Sequence, residues 1–300
     1  MTTSTDSTPT TASGIAYRVQ GAPDGIPVVA LHGTPGSRFS ATPARDALQA
    51  LGLRVLTLDR PGYGDTPGGE ARPARELAQD VLDVLAHAGV DGPVGLLAAG
   101  GATPAAVALA ALHPQRVGAL TLVWPQAPVA ADAGSPAMEQ HEWLRDMDEQ
   151  QQMLHSLALQ DPVFLRDQLE LGLGAYAGAD GVVLDLAQAQ EPWGVDPAEV
   201  RGPVDVWWGT DSAVSPAGHA AWLADRFTRA QVHRHELDEH QWHVRRLVEV
   251  FARLGERLGA RPLTDQELRA ASAAVDTDGC GGGGNGALGG CACGAGGCGA

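Results

Sequence analysis

Residues 94–104 read V-G-L-L-A-A-G-G-A-T-P. An apolar run enters a group of small residues, and an Ala-rich stretch, 105–112, follows. A strand, a tight turn and a helix in that order lift a nucleophilic side chain above the end of a sheet, in the pattern G-x-S-x-G. Small neighbours let the two backbones approach. Positions 98–102 read A-A-G-G-A, so the serine position holds Gly100. Glycine tolerates a strained turn but carries no nucleophile. No serine occurs between Ser40 and Ser135, and the nearest hydroxyl is that of Thr103. Thr103 stands three residues into the turn, away from the nucleophile position. Further along, His240 and its neighbour His243 offer imidazoles suited to general base work near neutral pH. Asp211 offers a carboxylate of the kind that holds an imidazole in one tautomer.

The elements that position these residues follow from hydrophobic patterning. Residues 15–19 predict a short strand, and 27–31 a continuous apolar one ending in His32-Gly33-Thr34-Pro35-Gly36. A helix over 43–51 and a strand over 54–58 lead to Asp59-Arg60-Pro61-Gly62-Tyr63-Gly64. Leu77, Val81, Val84 and Leu85 share one side of an amphipathic helix over 75–88. The turn, its helix over 104–112 and a strand over 119–124 come next. Alternation stops at Pro125, and 125–200 reads as a helical insertion, with helices over 138–157, from Asp161-Pro162, and over 179–190. Such an insertion covers the strand ends and excludes water from a pocket. Strands at 203–208 and 231–237 and helices at 216–227 and 244–258 complete the pattern. Thr264-Asp265-Gln266-Glu267 is a capping box that opens a last short helix.

Uniformly apolar strands alternating with helices predict an α/β fold, a mostly parallel sheet with helices on both faces plus a helical cap. The expected organisation is a disordered start over 1–13, a core formed by 14–124 and 201–260, and a cap over 125–200. A short helix and linker over 261–278 and a disordered Gly/Cys-rich tail over 279–300 follow.

The pattern resembles the α/β-hydrolase family over residues 15–258. Four landmarks carry the resemblance: L-H-G-T-P-G at 31–36, L-D-R-P-G-Y-G-D at 58–65, A-A-G-G-A-T-P-A-A-V-A-L-A-A-L-H-P at 98–114, and the pair W-W-G-T-D at 207–211 and D-E-H at 238–240. The resemblance implies the chain order nucleophile, acid, histidine at Gly100, Asp211 and His240. It implies that Asp211 orients His240, and that the backbone N–H groups of Thr34 and Gly101 face a developing oxyanion. Plainer readings stand beside these. Asp211 also suits a helix cap before Pro216, and the His32-Gly33 turn suits a purely structural role. His240 also suits a solvated loop rich in histidine, with His233, His235 and His243. Asp205, within a strand, and Asp132 are the alternative acids.

The net charge is −16, all 20 basic residues are Arg, and there is no Lys. Nucleic acid and anionic membranes are therefore excluded as expected partners, and Lys-based Schiff chemistry is excluded outright. No cofactor is expected. With no apolar run of ~18 residues and no signal-peptide pattern, the expected location is the cytoplasm. All four cysteines, Cys280, Cys291, Cys293 and Cys298, lie in the Gly/Ala-rich tail. They are weak metal-ligand candidates, since only C-x-C is a plausible pair. L-T-D-Q-E-L-R-A-A followed by Gly-flanked cysteines resembles the leader and core of a ribosomally made, modified peptide; plain disorder is the simpler reading.

Three functions follow. A serine-less member of the family would bind a small molecule or turn it over weakly. A hydrolase or lyase would use His240 and water on a small ester or amide. A folded carrier would present the tail to a modifying enzyme.

Overall fold

A computed structural model describes residues 9–34, 36–128, 180–189, 191–209, 217–235 and 239–278. Strands β1 (Tyr17–Gly21), β2 (Ile26–Leu31), β3 (Leu53–Leu58), β4 (Val94–Ala99), β5 (Val117–Val123), β6 (Val204–Gly209) and β7 (Ala230–His235) form one sheet in the order β1-β3-β2-β4-β5-β6-β7. β1 runs antiparallel to β3; every other pairing is parallel. The chain thus starts near one edge, reaches β4 at the centre, and continues outward to β7. Order reverses between β3 and β4, and ligands of open α/β sheets bind at such switch points, beyond the carboxyl ends of the strands.

Helices α1 (Arg45–Ala50), α2 (Ala74–His87), α3 (Thr103–Leu112), α4 (Asp180–Ala189), α5 (Ala217–Ala224), α6 (Glu239–Arg257) and α7 (Asp265–Asp278) complete the described elements. Side chains alternate between the two faces of a strand, and here both faces are buried. Leu96 and Ala98 of β4 pack with Ala105, Ala106 and Leu109 of α3. Leu97 and Ala99 pack on the other face with Val248, Phe251 and Leu254 of α6. Every residue of β4 is buried, which explains its lack of any polar alternation.

Two expectations shift. The first strand runs over Tyr17–Gly21 rather than 15–19. The last helix of the core begins at Glu239, not 244, so His240 lies in its first turn rather than in a loop. Within the expected cap, α4 matches the helix predicted at 179–190. The helices predicted at 138–157 and from Asp161 lie outside the described residues.

α4 sits directly on the loop after β3. A Cβ on Gly62 (φ 80°) would fall 2.8 Å from the Gly181 nitrogen, and one on Gly181 would fall 2.6 Å from the Tyr63 ring. The two glycines therefore bring helix and loop backbones into contact.

Phe251 is fully buried between α6 and the sheet. Phe251→Ala is expected to lower stability by about 3–5 kcal/mol, read from denaturant unfolding. A loss below about 1 kcal/mol would mean that α6 does not cover this face of the sheet.

Candidate active site

The turn predicted at residue 100 is present. Gly100 follows β4 with φ 45°, and α3 begins three residues later. An L-residue rarely holds that conformation, and glycine holds it without steric cost. Among the described residues, the nearest atoms to a Cβ at this position would be Gln126 Nε2 at 3.7 Å, Gly33 Cα at 3.9 Å and Thr34 N at 4.0 Å. A Cβ would therefore meet these neighbours at ordinary van der Waals distance, without a clash. Thr103 points elsewhere: its hydroxyl donates to the Gly100 carbonyl at 2.6 Å and accepts from Gln126 N–H at 3.1 Å. It is a structural hydroxyl.

His32 holds the loop that faces the turn. Its Nδ1 donates to the Gly33 carbonyl at 2.8 Å, and its Nε2 accepts from Arg60 N–H at 3.1 Å. Accepting at one nitrogen requires the neutral ring. Burial, aided by the Arg60 charge, pushes the imidazole pKa well below the ordinary histidine value. The structural reading of this turn is the one the geometry favours.

Arg60 ties that loop to α4. Its Nε donates to the His32 carbonyl at 3.0 Å, and one terminal nitrogen donates to the Gly33 carbonyl at 2.9 Å and to Thr34 Oγ1 at 3.1 Å. The guanidinium then grips Asp185 of α4 with both terminal nitrogens, at 2.5 and 2.7 Å. The Tyr63 hydroxyl donates to the same carboxylate at 2.6 Å, and Thr34 Oγ1 donates to it as well. Burial works against the charge on Arg60, yet Asp185 and Tyr63 raise its pKa above the ordinary value. Burial and the Asp185 charge push the Tyr63 phenol well up, so it donates throughout the accessible pH range. The carboxylate abuts the turn itself. A Cβ on Gly101 would collide with Thr34 Oγ1 and lie 3.2 Å from Asp185 Oδ2. Behind this cluster a cavity of about 30 Å³, lined by Arg60, Gly101, Ala105, Leu184 and Gln188, has room for about one water.

The structure therefore brings together Gly100, Gly101 and Thr34. Asp211 and Asp132 lie outside the described residues, as do Cys280, Cys291, Cys293 and Cys298; of His240 only the backbone is described. Asp205 and His233 do form a pair, at 2.7 Å, and Arg257 holds the same carboxylate at 2.8 Å. Burial opposes the Asp205 charge, but the bonds from His233 and Arg257 hold its pKa below the usual value. This pair does not serve the turn. Asp205 is in register with Thr121, which is in register with Leu97, three residues before Gly100. That places it two strands aside and three residues back, about 10 Å in each direction. Its task is to pin α6 to the sheet edge. Among the described residues no group of three or more His, Cys, Asp or Glu could hold a metal ion.

Sequence reasoning missed Asp185, Gln126 and His219. Arg60 and Tyr63 sit in the quoted loop motif, but Asp185 has no local signal. Its partner Arg60 is 125 residues away.

Two measurements test this cluster. Tyr63→Phe removes a hydrogen bond to a charged group and is expected to cost about 1.5–3 kcal/mol of stability; no loss would separate Tyr63 from Asp185. For His32 the sign follows from its depressed pKa. Above about pH 6.5 folded and unfolded chains both carry the neutral ring; below it only the unfolded chain takes up the proton, so stability falls. Wild type should lose up to about 1.4 kcal/mol per pH unit more than His32→Asn as the pH drops below about 6.5. Parallel pH profiles of the two proteins would contradict the neutral assignment.

Comparison with known proteins agrees with this fold. A family model described as the α/β hydrolase fold matches residues 26–158. No curated protein matches the sequence. Among solved structures, a hydrolase from Pseudomonas aeruginosa PA01 is similar at 22% identity and TM-score 0.66, covering 86% of this chain and 100% of its own. An esterase from Exiguobacterium antarcticum is similar at 16% identity and TM-score 0.65, covering 82% and 97%. The enol-lactonase from Burkholderia xenovorans LB400 is similar at 17% identity and TM-score 0.61, covering 84% and 98%. Sheet order, the glycine-bearing turn after β4 and the matched segment converge: the chain is an α/β-hydrolase-fold protein.

Proposed function

We propose that this protein binds a small molecule at the turn after β4 without forming an acyl-enzyme. One observation carries the reading. Gly100 keeps the turn conformation, a Cβ there would meet no described atom closer than 3.7 Å, and the nearest hydroxyl in sequence, that of Thr103, is bonded to the Gly100 carbonyl. Covalent acyl transfer needs an activated nucleophile there. The carboxylate of Asp185, lodged against Gly101, also opposes a negative charge developing nearby, although Arg60 balances much of it. Non-covalent binding has neither difficulty. The Thr34 and Gly101 N–H groups are then ligand donors, with Asp211 and His240 as the acid and histidine that the family resemblance implies. The ligand is a small molecule; the strongly acidic chain disfavours nucleic acid.

Restoring the nucleophile tests this reading. Gly100→Ser is expected to lose about 1–2 kcal/mol of stability, because serine must adopt a left-handed conformation. It should nevertheless gain at least about 100-fold in ester hydrolysis and become labelled by a fluorophosphonate probe, whereas wild type is not labelled. Adding His240→Ala should abolish the gain. Labelling of wild type within residues 98–104 would contradict the proposal. So would wild-type ester turnover that depends on His240, which would make the protein a water-using hydrolase.

A further inference from the structure

The segment after β5 carries a polar group that the fold does not use. Trp124 has φ 44°, the one non-glycine residue in the left-handed region among the described residues. Such strain persists where the surroundings over-determine it, and it collects at ligand sites. Two buried hydrogen bonds fix the residues that follow. Gln126 N–H donates to Thr103 Oγ1 at 3.1 Å, and Ala127 N–H donates to Nδ1 of the fully buried His219 at 2.8 Å. The backbone at Gln126 and Ala127 is thereby fixed beside the turn. The residue is 7% exposed, and its Nε2 has no hydrogen-bond partner among the described residues. That nitrogen lies 3.7 Å from where a Cβ on Gly100 would be, with the Thr34 nitrogen 4.0 Å from the same point. Two donors thus flank the one position that a Cβ on Gly100 would occupy. A buried amide left unpaired is costly, and native proteins keep few of them.

We infer that Gln126 is a ligand-binding residue whose Nε2 donates to the oxygen of a neutral carbonyl compound seated beside Gly100. A carbonyl oxygen suits the site because both bordering groups are donors. A neutral compound suits it better than a carboxylate because Asp185 already places a negative charge against Gly101. The inference rests on the ligand-binding reading above.

The test uses the full-length, ¹⁵N-labelled protein and two compounds of one shape, cyclopentanone and methylenecyclopentane. They differ only in C=O against C=CH₂. The Gln126 side-chain amide resonance, assigned by its absence from Gln126→Leu, should shift saturably with the ketone. The ketone should bind about fivefold tighter than the alkene, the worth of one neutral hydrogen bond. In Gln126→Leu that preference should vanish while the unfolding temperature holds or rises, since an unpaired buried amide has been replaced by an apolar group. A purely structural glutamine would instead lower the unfolding temperature on replacement. A ketone preference that survives in Gln126→Leu, an unmoved Gln126 resonance, or a clearly less stable variant would overturn the assignment. Shifts at the Thr34 and Gly101 amides with Gln126 unmoved would sink the role of Gln126 alone. No shift at any of the three would sink the ligand-binding reading as well.

Discussion

The Arg60 guanidinium is the constraint on which the site depends. It binds two carbonyls of the loop after β2, the Thr34 hydroxyl and the Asp185 carboxylate. One planar group thereby fixes three segments: the loop at 32–34, its own loop after β3, and α4. Arginine suits the task because its fork meets a carboxylate at two points and still has donors for carbonyls. The arrangement is also exposed to failure. Its charges are buried, so losing either partner leaves the other uncompensated, at about 3–5 kcal/mol. The glycines around it serve the same cluster: Gly62 and Gly181 let α4 descend onto the loop, and Gly101 leaves space for Thr34 and Asp185.

Against this rigid frame the turn carries no side chain at Gly100. A Cβ there would meet no described atom closer than 3.7 Å, and the nearest, Gln126 Nε2, is a donor without a partner among the described residues. A fold that had simply lost a catalytic residue need not keep a strained Trp124 or, beside Gly100, a buried amide nitrogen without a partner among the described residues. Retained strain and an unpaired donor at one place are what binding sites carry at the expense of stability.

The sheet and the turn are legible in the sequence because they rest on local signals. Buried parallel strands read as unbroken apolar runs, and a strand–small residues–helix sequence marks the turn at 94–104. The loop motifs at 31–36 and 58–65 are legible as well, and they contain Arg60, Tyr63 and Thr34. What they hold is not. Asp185 lies on an ordinary amphipathic helix, and only tertiary packing brings it to Arg60. Gln126 looks like a loop glutamine until its N–H donates to Thr103 Oγ1 and the Ala127 N–H donates to His219 Nδ1. The sequence places the start of α6 at residue 244 because the acidic 238–239 pair reads as loop, whereas the helix runs from Glu239. The Asp205–His233 pair shows the reverse hazard. Its residue types suggest catalysis, but strand register places it away from the turn and assigns it to α6.

The most direct test of a serine-less binding site is the mass of wild-type protein acid-quenched during incubation with p-nitrophenyl acetate. The expected result is an unmodified segment over residues 94–128, because its Thr103 hydroxyl is bonded to the Gly100 carbonyl and its Thr121 hydroxyl is buried and has no partner among the described residues to activate it. An acetyl group mapped to Thr103, or to any other residue of that segment, would contradict the account.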